Sequence, residues 1–354
     1  VYHSLTSVSD SLTYFENAYY FSLEESNINY LNTYTPAVIF IRNMVSFLIN
    51  YLNFSYLGVF LFYNFIGFLA LLCIDSSLNK LITSNNKVTT LLKNIIVFLP
   101  SISFWSAGIG KDTIALFSLS FLFWLYIYKK NYLLILLALI LFYYVRPQHA
   151  LILIISSTLS LFFINNKNHY LISFKYFKFI LFILISIGLF ISINYLLKLT
   201  LIGFQINSFY DLISFELYNQ FNEQLKTRQS LPDYYGSGYI DLPSILFLTE
   251  LFTYLFRPMI FEATSLFTLV SSIENFIILI IFIYGFYCFS NHKIINDRNK
   301  IFIIFFILAL IPLSSLTPNF GISARQKWII LIPFFYFLVS TIDTYSNLKK
   351  NKIK

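Results

Sequence analysis

SYLGVFLFYNFIGFLALLCI, Ser55 to Ile74, is the stretch that decides the fold. It carries no charged side chain, and its apolar residues run on without the alternation of a half-buried strand. About 20 apolar residues match the thickness of a lipid bilayer when they form a helix. Lipid offers no water to satisfy backbone N–H and C=O groups, so only helices and closed barrels cross it. Barrel strands alternate in polarity; this run does not, so it reads as a membrane-spanning helix. Similar runs follow at Asn94 to Phe104, Thr113 to Tyr128, Tyr132 to Val145, Ala150 to Ile164, Phe179 to Leu197, Ile273 to Phe289, Ile301 to Leu316 and Trp328 to Thr341. The expected fold is all-α, a polytopic transmembrane bundle of about nine crossings. The whole chain agrees: 58% of residues are hydrophobic and 11% charged, against roughly 25% charged in soluble domains.

Charge sets the orientation. Lys and Arg are retained on the cytoplasmic side of short loops. Lys80, Lys87 and Lys93, then Lys129 and Lys130, then Lys167, Lys175 and Lys178, then Lys293, Arg298 and Lys300, and finally the tail from Lys349 to Lys354 mark the inside. The segment 1–37 has Asp10, Glu16, Glu24 and Glu25 and no Lys or Arg, so it reads as the first extracytoplasmic loop. Pro36 to Tyr51, interrupted by Arg42 and Asn43, reads as an interfacial or re-entrant helix. So do the two apolar pieces of Ser244 to Ser272, split at Phe256 to Glu262. The segment 198–243 is a long outside loop rich in tyrosine. The chain reads as one integral membrane domain, 1–354. Its opening in a polar segment at Val1 suggests that a first crossing or signal anchor precedes it.

The net charge of +8 is accounted for by this inside bias, so nucleic acid is not an expected partner. Cys73 and Cys288 are far apart, and both fall at cytoplasmic helix ends. The four histidines lack metal-ligand spacing. No cofactor is expected, and a divalent metal, though open, has no support in the sequence. The abundance of Phe, Tyr, Ile, Asn and Lys reflects an AT-rich coding bias.

Polar residues are scarce here, so those at outside helix ends are the candidates for function. Lys111, Arg146, Arg257, Arg325 and Lys327 sit in short outside turns or at helix ends, against the charge bias. Snorkelling to the headgroups explains one such residue. A set of them, with Arg146 and Arg257 each preceding a proline, suits a shared anionic ligand, since the guanidinium fork fits phosphate oxygens. Asp10, in Ser9-Asp10-Ser11-Leu12-Thr13-Tyr14, is a candidate general base, although a helix N-cap is the plainer role. The turn Gly108-Ile109-Gly110-Lys111-Asp112-Thr113 lacks the strand and spacing of a nucleotide phosphate loop.

This order of features resembles the C-type membrane glycosyltransferases. The stretch Ser9 to Ala18 fits their first-loop acid with a nearby aromatic. Tyr34-Thr35-Pro36-Ala37-Val38 fits the proline-marked interfacial helix, and Pro100 to Ser106 through Lys111-Asp112 fits a second acid opening a helix. Phe104 to Asp112, Val145-Arg146-Pro147, Phe256-Arg257-Pro258 and Arg325-Gln326-Lys327 also resemble bacterial surface-polysaccharide membrane proteins, including O-antigen polymerases and ligases that rely on outward arginines. The first-loop acid stands alone here, flanked by Ser9 and Ser11. The resemblance implies a glycosyltransferase C-like bundle in the bacterial inner membrane with its active face outside. It implies a polyprenyl-phosphate-linked sugar as donor and a glycan, lipid or protein as acceptor. Asp10 becomes the catalytic acid or base and Asp112 a secondary one, with Lys111, Asp112, Arg146, Arg257 and Arg325 as substrate-binding residues. Apart from the resemblance, Asp10, Lys111, Arg146, Arg257 and Arg325 should line one outward-facing cavity, because scarce charges at helix ends gain most by meeting a shared polar ligand. A transporter or flippase of lipid-linked glycans is the alternative, and an assembly subunit without catalysis a third.

Overall fold

A computed structural model of the chain describes residues 10–23, 36–84, 86–162, 246–292, 299–317 and 319–353. The helices are α1 (Asp10–Leu23), α2 (Pro36–Leu52), α3 (Tyr56–Leu81), α4 (Lys87–Val97), α5 (Pro100–Ser106), α6 (Lys111–Ile127), α7 (Tyr132–Val145) and α8 (Pro147–Phe162). After them come α9 (Phe247–Phe256), a short 3₁₀ turn (Ile260–Glu262), α10 (Leu266–His292), α11 (Lys300–Leu316), α12 (Phe320–Gln326) and α13 (Trp328–Ile353). Among the described residues there is no strand. The expected crossing Phe179 to Leu197, the loop 198–243 with Arg228, and the basic stretches 165–178 and 293–298 lie outside the described residues.

Four helical stretches are long and apolar enough to cross a membrane: Tyr56–Leu81, Lys87–Ser106, Leu266–Asn291 and Trp328–Lys350. Several sequence expectations are redrawn. The split run Ser244 to Ser272 does not form two equivalent pieces. Its second part joins α10, which runs unbroken from Leu266. The polar stretch Asp75 to Lys93 is mostly helix, leaving only the Ile82–Asn86 link. The run Asn94 to Phe104 is divided at Leu99, where Pro100 opens a new helix because proline tolerates a first turn but not an interior.

Local chemistry sets the ends. The Ser55, Asn86, Asn131 and Asn319 side chains each accept a backbone N–H of the helix that follows, as N-caps do. Gly67 on α3 faces the Ser106 carbonyl at the end of α5. A Cβ there would stand 2.3 Å from that oxygen, so only glycine permits the approach.

The chain falls into two compact units, one made of Val1–Ala150, Ile280–Ile294 and Trp328–Lys354, the other of Leu151–Leu279 and Ile295–Lys327. In the first unit α3 packs on α6, α6 on α7, and α1 on α2. Helix α13 packs against α3, α4 and α6, and 83% of its apolar stretch is buried, against 33% for α3. It is the central post. Asp343 on it accepts hydrogen bonds from the Thr83 N–H (2.9 Å), the Thr83 hydroxyl (2.7 Å), the Ser84 N–H (3.2 Å) and the Ser84 hydroxyl. Asn86 adds a bond to the Ser346 hydroxyl, 2.7 Å. The second unit is built on α9 packed against α11 and α12.

Candidate functional site

In the first unit, helix α1 begins at Asp10, so the suspected base stands at a helix start. The next turn of α1 lies on the glycine turn before α6. A Cβ on Gly108 would meet the Ser11 hydroxyl at 2.9 Å, and one on Gly110 would meet the Tyr14 ring at 3.6 Å. A side chain at Gly108 would force Ser11 to shift, whereas a Cβ at Gly110 would make ordinary contact with Tyr14. The Thr113 hydroxyl closes the turn by donating to the Gly108 carbonyl, 2.6 Å. Helix α6 then opens with Lys111 and Asp112, and its N-cap, Gly110, has no side chain with which to cap it.

Asp112 forms an ion pair with Arg146. The arginine stands between α7 and α8 with non-helical backbone, and its carbonyl accepts the Ala150 N–H at 3.0 Å, so it is the N-cap of α8. The two side chains are 15% and 13% exposed, so the pair is largely withdrawn from solvent. Three residues on, His149 is buried, and neither ring nitrogen has a hydrogen-bond partner among the described residues. The Arg146 Nε is likewise buried without one. Thus the Asp10 helix start, Lys111, Asp112 and Arg146 all belong to the first unit, linked by the α1 contact and the ion pair.

In the second unit, Arg257 follows α9 and turns back onto Glu262. Its Nε reaches both carboxylate oxygens, at 2.8 and 3.1 Å, and a second guanidinium nitrogen pairs with the same group. The Met259 N–H adds a bond of 2.7 Å. Burial by itself would raise the Glu262 pKa, but the Arg257 and Met259 bonds and the Arg257 charge outweigh it, and the carboxyl is held below its ordinary value. The guanidinium also lies 5.0 Å from the centre of the Phe320 ring. The Pro258 carbonyl accepts the Asn275 amide at 3.1 Å, and the Asn275 oxygen accepts the Lys327 ammonium. Lys327 is buried; desolvation pushes its pKa down to about 8, against the opposing charge of Glu274. Glu250 on α9, also buried, accepts the Ser315 hydroxyl at 2.8 Å. Arg325 is half-buried near the end of α12.

Both arginines that precede a proline are therefore charge-neutralised by a carboxylate. Sequence reading assigned no role to His149, Glu250 or Asn275, and placed Lys327 among the outside cations. The available signal was the polar doublet Glu274-Asn275 inside an otherwise apolar run, where an uncompensated polar group is expensive. Among the described residues no cluster of His, Cys, Asp or Glu is arranged to hold a metal ion. No protein-family model, curated protein or solved structure matches this chain.

Proposed function

We propose that the chain is a polytopic membrane glycosyltransferase of about nine crossings, with a glycosyltransferase C-like bundle. It uses a polyprenyl-phosphate-linked sugar on the outer face of a bacterial inner membrane, in surface-polysaccharide assembly. The observation that carries this reading is the seating of the first turns of α1, through Ser11 and Tyr14, on the glycine turn that precedes Lys111, with Asp10 at the start of the same helix. One candidate base and one candidate phosphate cation thereby belong to a single packed region. Lys111 stands at the first position of α6, where backbone N–H groups and the helix dipole favour an anion. Asp112 adds no net charge there, since Arg146 neutralises it. In this reaction charge builds on the departing phosphate while the anomeric carbon becomes oxocarbenium-like. Lys111 stabilises the phosphate, and Asp10 takes the proton of the acceptor hydroxyl.

Asp10→Asn should cut glycan transfer about 10²–10⁴-fold, the usual size of a general-base contribution. Lys111→Met should weaken binding of undecaprenyl phosphate by protein in nanodiscs. Glu24→Gln, off the motif, should stay near wild type. Full transfer in Asp10→Asn removes the base. The orientation has its own check, because an impermeant thiol reagent should miss a cysteine placed at 350 and label one placed at 325 in intact cells.

A second reading, transport of a lipid-linked glycan, is favoured by the buried Glu250, Glu274 and Lys327 of the second unit. Buried ionisable groups are what a translocation path requires. Reconstituted vesicles separate the two. A transporter moves a labelled lipid-linked sugar between leaflets with no acceptor present, and a transferase does not.

A further inference from the structure

We infer that Arg146 and His149, at the N-terminal turn of α8, form a subsite for a sugar ring, reading its hydroxyl groups rather than a phosphate. The inference rests on the transferase reading for its substrate class and on its own geometry for its place. Arg146 is the N-cap of α8, and His149 lies three residues on, so the two occupy neighbouring positions on one side of the helix start. His149 is only 4% exposed. Buried polar groups nearly always find partners, so one that finds none among the described residues needs an explanation. Here there are three such atoms, both His149 nitrogens and the Arg146 Nε.

The chemistry of these atoms selects the ligand. A neutral imidazole has one N–H donor and one bare nitrogen acceptor. The phosphodiester of a lipid-linked sugar carries no O–H at neutral pH, so it only accepts and leaves the bare nitrogen unmatched. A hydroxyl both gives and takes, and matches either nitrogen. Charge points the same way. The Arg146 guanidinium is already neutralised by Asp112, so it offers the Nε–H as a donor with little net attraction for an anion. Separate hydroxyls of a sugar supply an acceptor for the Nε–H, an acceptor for the imidazole N–H and a proton for the bare nitrogen. Phosphate is left to Lys111.

The test uses the full chain in nanodiscs, probed with methyl glucoside, galactoside and mannoside by saturation-transfer NMR. Inorganic pyrophosphate is the competitor, and empty nanodiscs are the background. At least one glycoside should give a signal on the wild type that pyrophosphate does not displace. His149→Phe fills the same space without polar atoms. It should lose that signal by about tenfold or more, while its Tm stays level or rises because no unmatched nitrogen remains buried. His149→Gln, which still gives and accepts, should retain part of the signal and guards against a misfolded Phe variant. Unchanged glycoside signals in His149→Phe overturn the subsite, as does displacement by pyrophosphate or the absence of any wild-type signal. Undecaprenyl phosphate binding is measured alongside. If glycosides bind through His149 and the lipid phosphate does not bind, the transferase reading fails and the sugar subsite stands. The reverse result removes the subsite alone.

Discussion

Two arginine–proline junctions, Arg146-Pro147 and Arg257-Pro258, look alike in sequence and are held by opposite means. Arg146 finds its carboxylate on another helix, 34 residues back, and the pair is 15% and 13% exposed. Arg257 finds Glu262 five residues on, and that pair is 31% and 22% exposed. The first ion pair ties α6 to the α7–α8 junction. The second closes a turn on itself. The same dipeptide therefore serves as a tertiary brace in one unit and a local clip in the other. The energetic consequences should separate accordingly, because breaking a buried pair costs far more than breaking an exposed one.

The largest effect tests the brace. Asp112→Ala leaves the Arg146 charge buried and should cost about 3–5 kcal/mol, read as a fall in Tm of the purified protein. The double variant Asp112→Leu with Arg146→Met should recover most of that loss. Equal losses in both would mean that the pair braces nothing. Next comes the lysine under the clip. Lys327 has a pKa near 8 rather than its ordinary 10.5, chiefly through burial. Between those values the unfolded chain holds a proton that the folded chain has released, so stability rises with pH across that window. The wild type should gain on the order of 3 kcal/mol relative to Lys327→Met between pH 8 and 10.5.

Smaller effects sharpen the clip. Glu262→Gln should cost about 1 kcal/mol at neutral pH, as exposed pairs do. Its folded pKa is depressed, so this stability is present above the ordinary value of 4.5 and is lost as pH falls through the lower folded value. The gap between wild type and variant should close on acidification. Phe320→Leu removes the ring beneath Arg257 and should cost about 0.5 kcal/mol. A Glu262→Gln loss as large as that of Asp112→Ala would erase the distinction between the two junctions.

These junctions also mark how far sequence reading reaches. The scarcity of charge picked out Asp112, Arg146 and Arg257 directly, since each interrupts apolar sequence. Their partnerships were legible only at short range. Glu262 is visible from Arg257, whereas the Asp112–Arg146 pair depends on how α6 meets the end of α7. Lys327, directly before Trp328, has the appearance of a snorkelling anchor. Its buried ammonium donates to an amide on α10, and nothing near position 327 announces Asn275. Some helix boundaries were hidden for a related reason. Runs such as Asn94 to Phe104 have an apolar composition that does not reveal a break, and only Pro100 locates the boundary. Conversely, α10 absorbs Leu266 to Ser272 because no proline or glycine stops it there.

Asp343 carries a consequence for the order of assembly. Its four bonds to Thr83 and Ser84 join residues about 260 positions apart. The helix that bears it follows the other described helices in chain order and is among the most enclosed. During translation the earlier described helices of the first unit must wait with an open centre, and the Thr83–Ser84 link must stay hydrated, until α13 arrives. Ribosome-bound chains ending before Trp328 should then be sensitive to protease at that link, with protection appearing only once α13 has emerged. In the first unit, completion of the core is a single late event, the arrival of α13, rather than gradual growth.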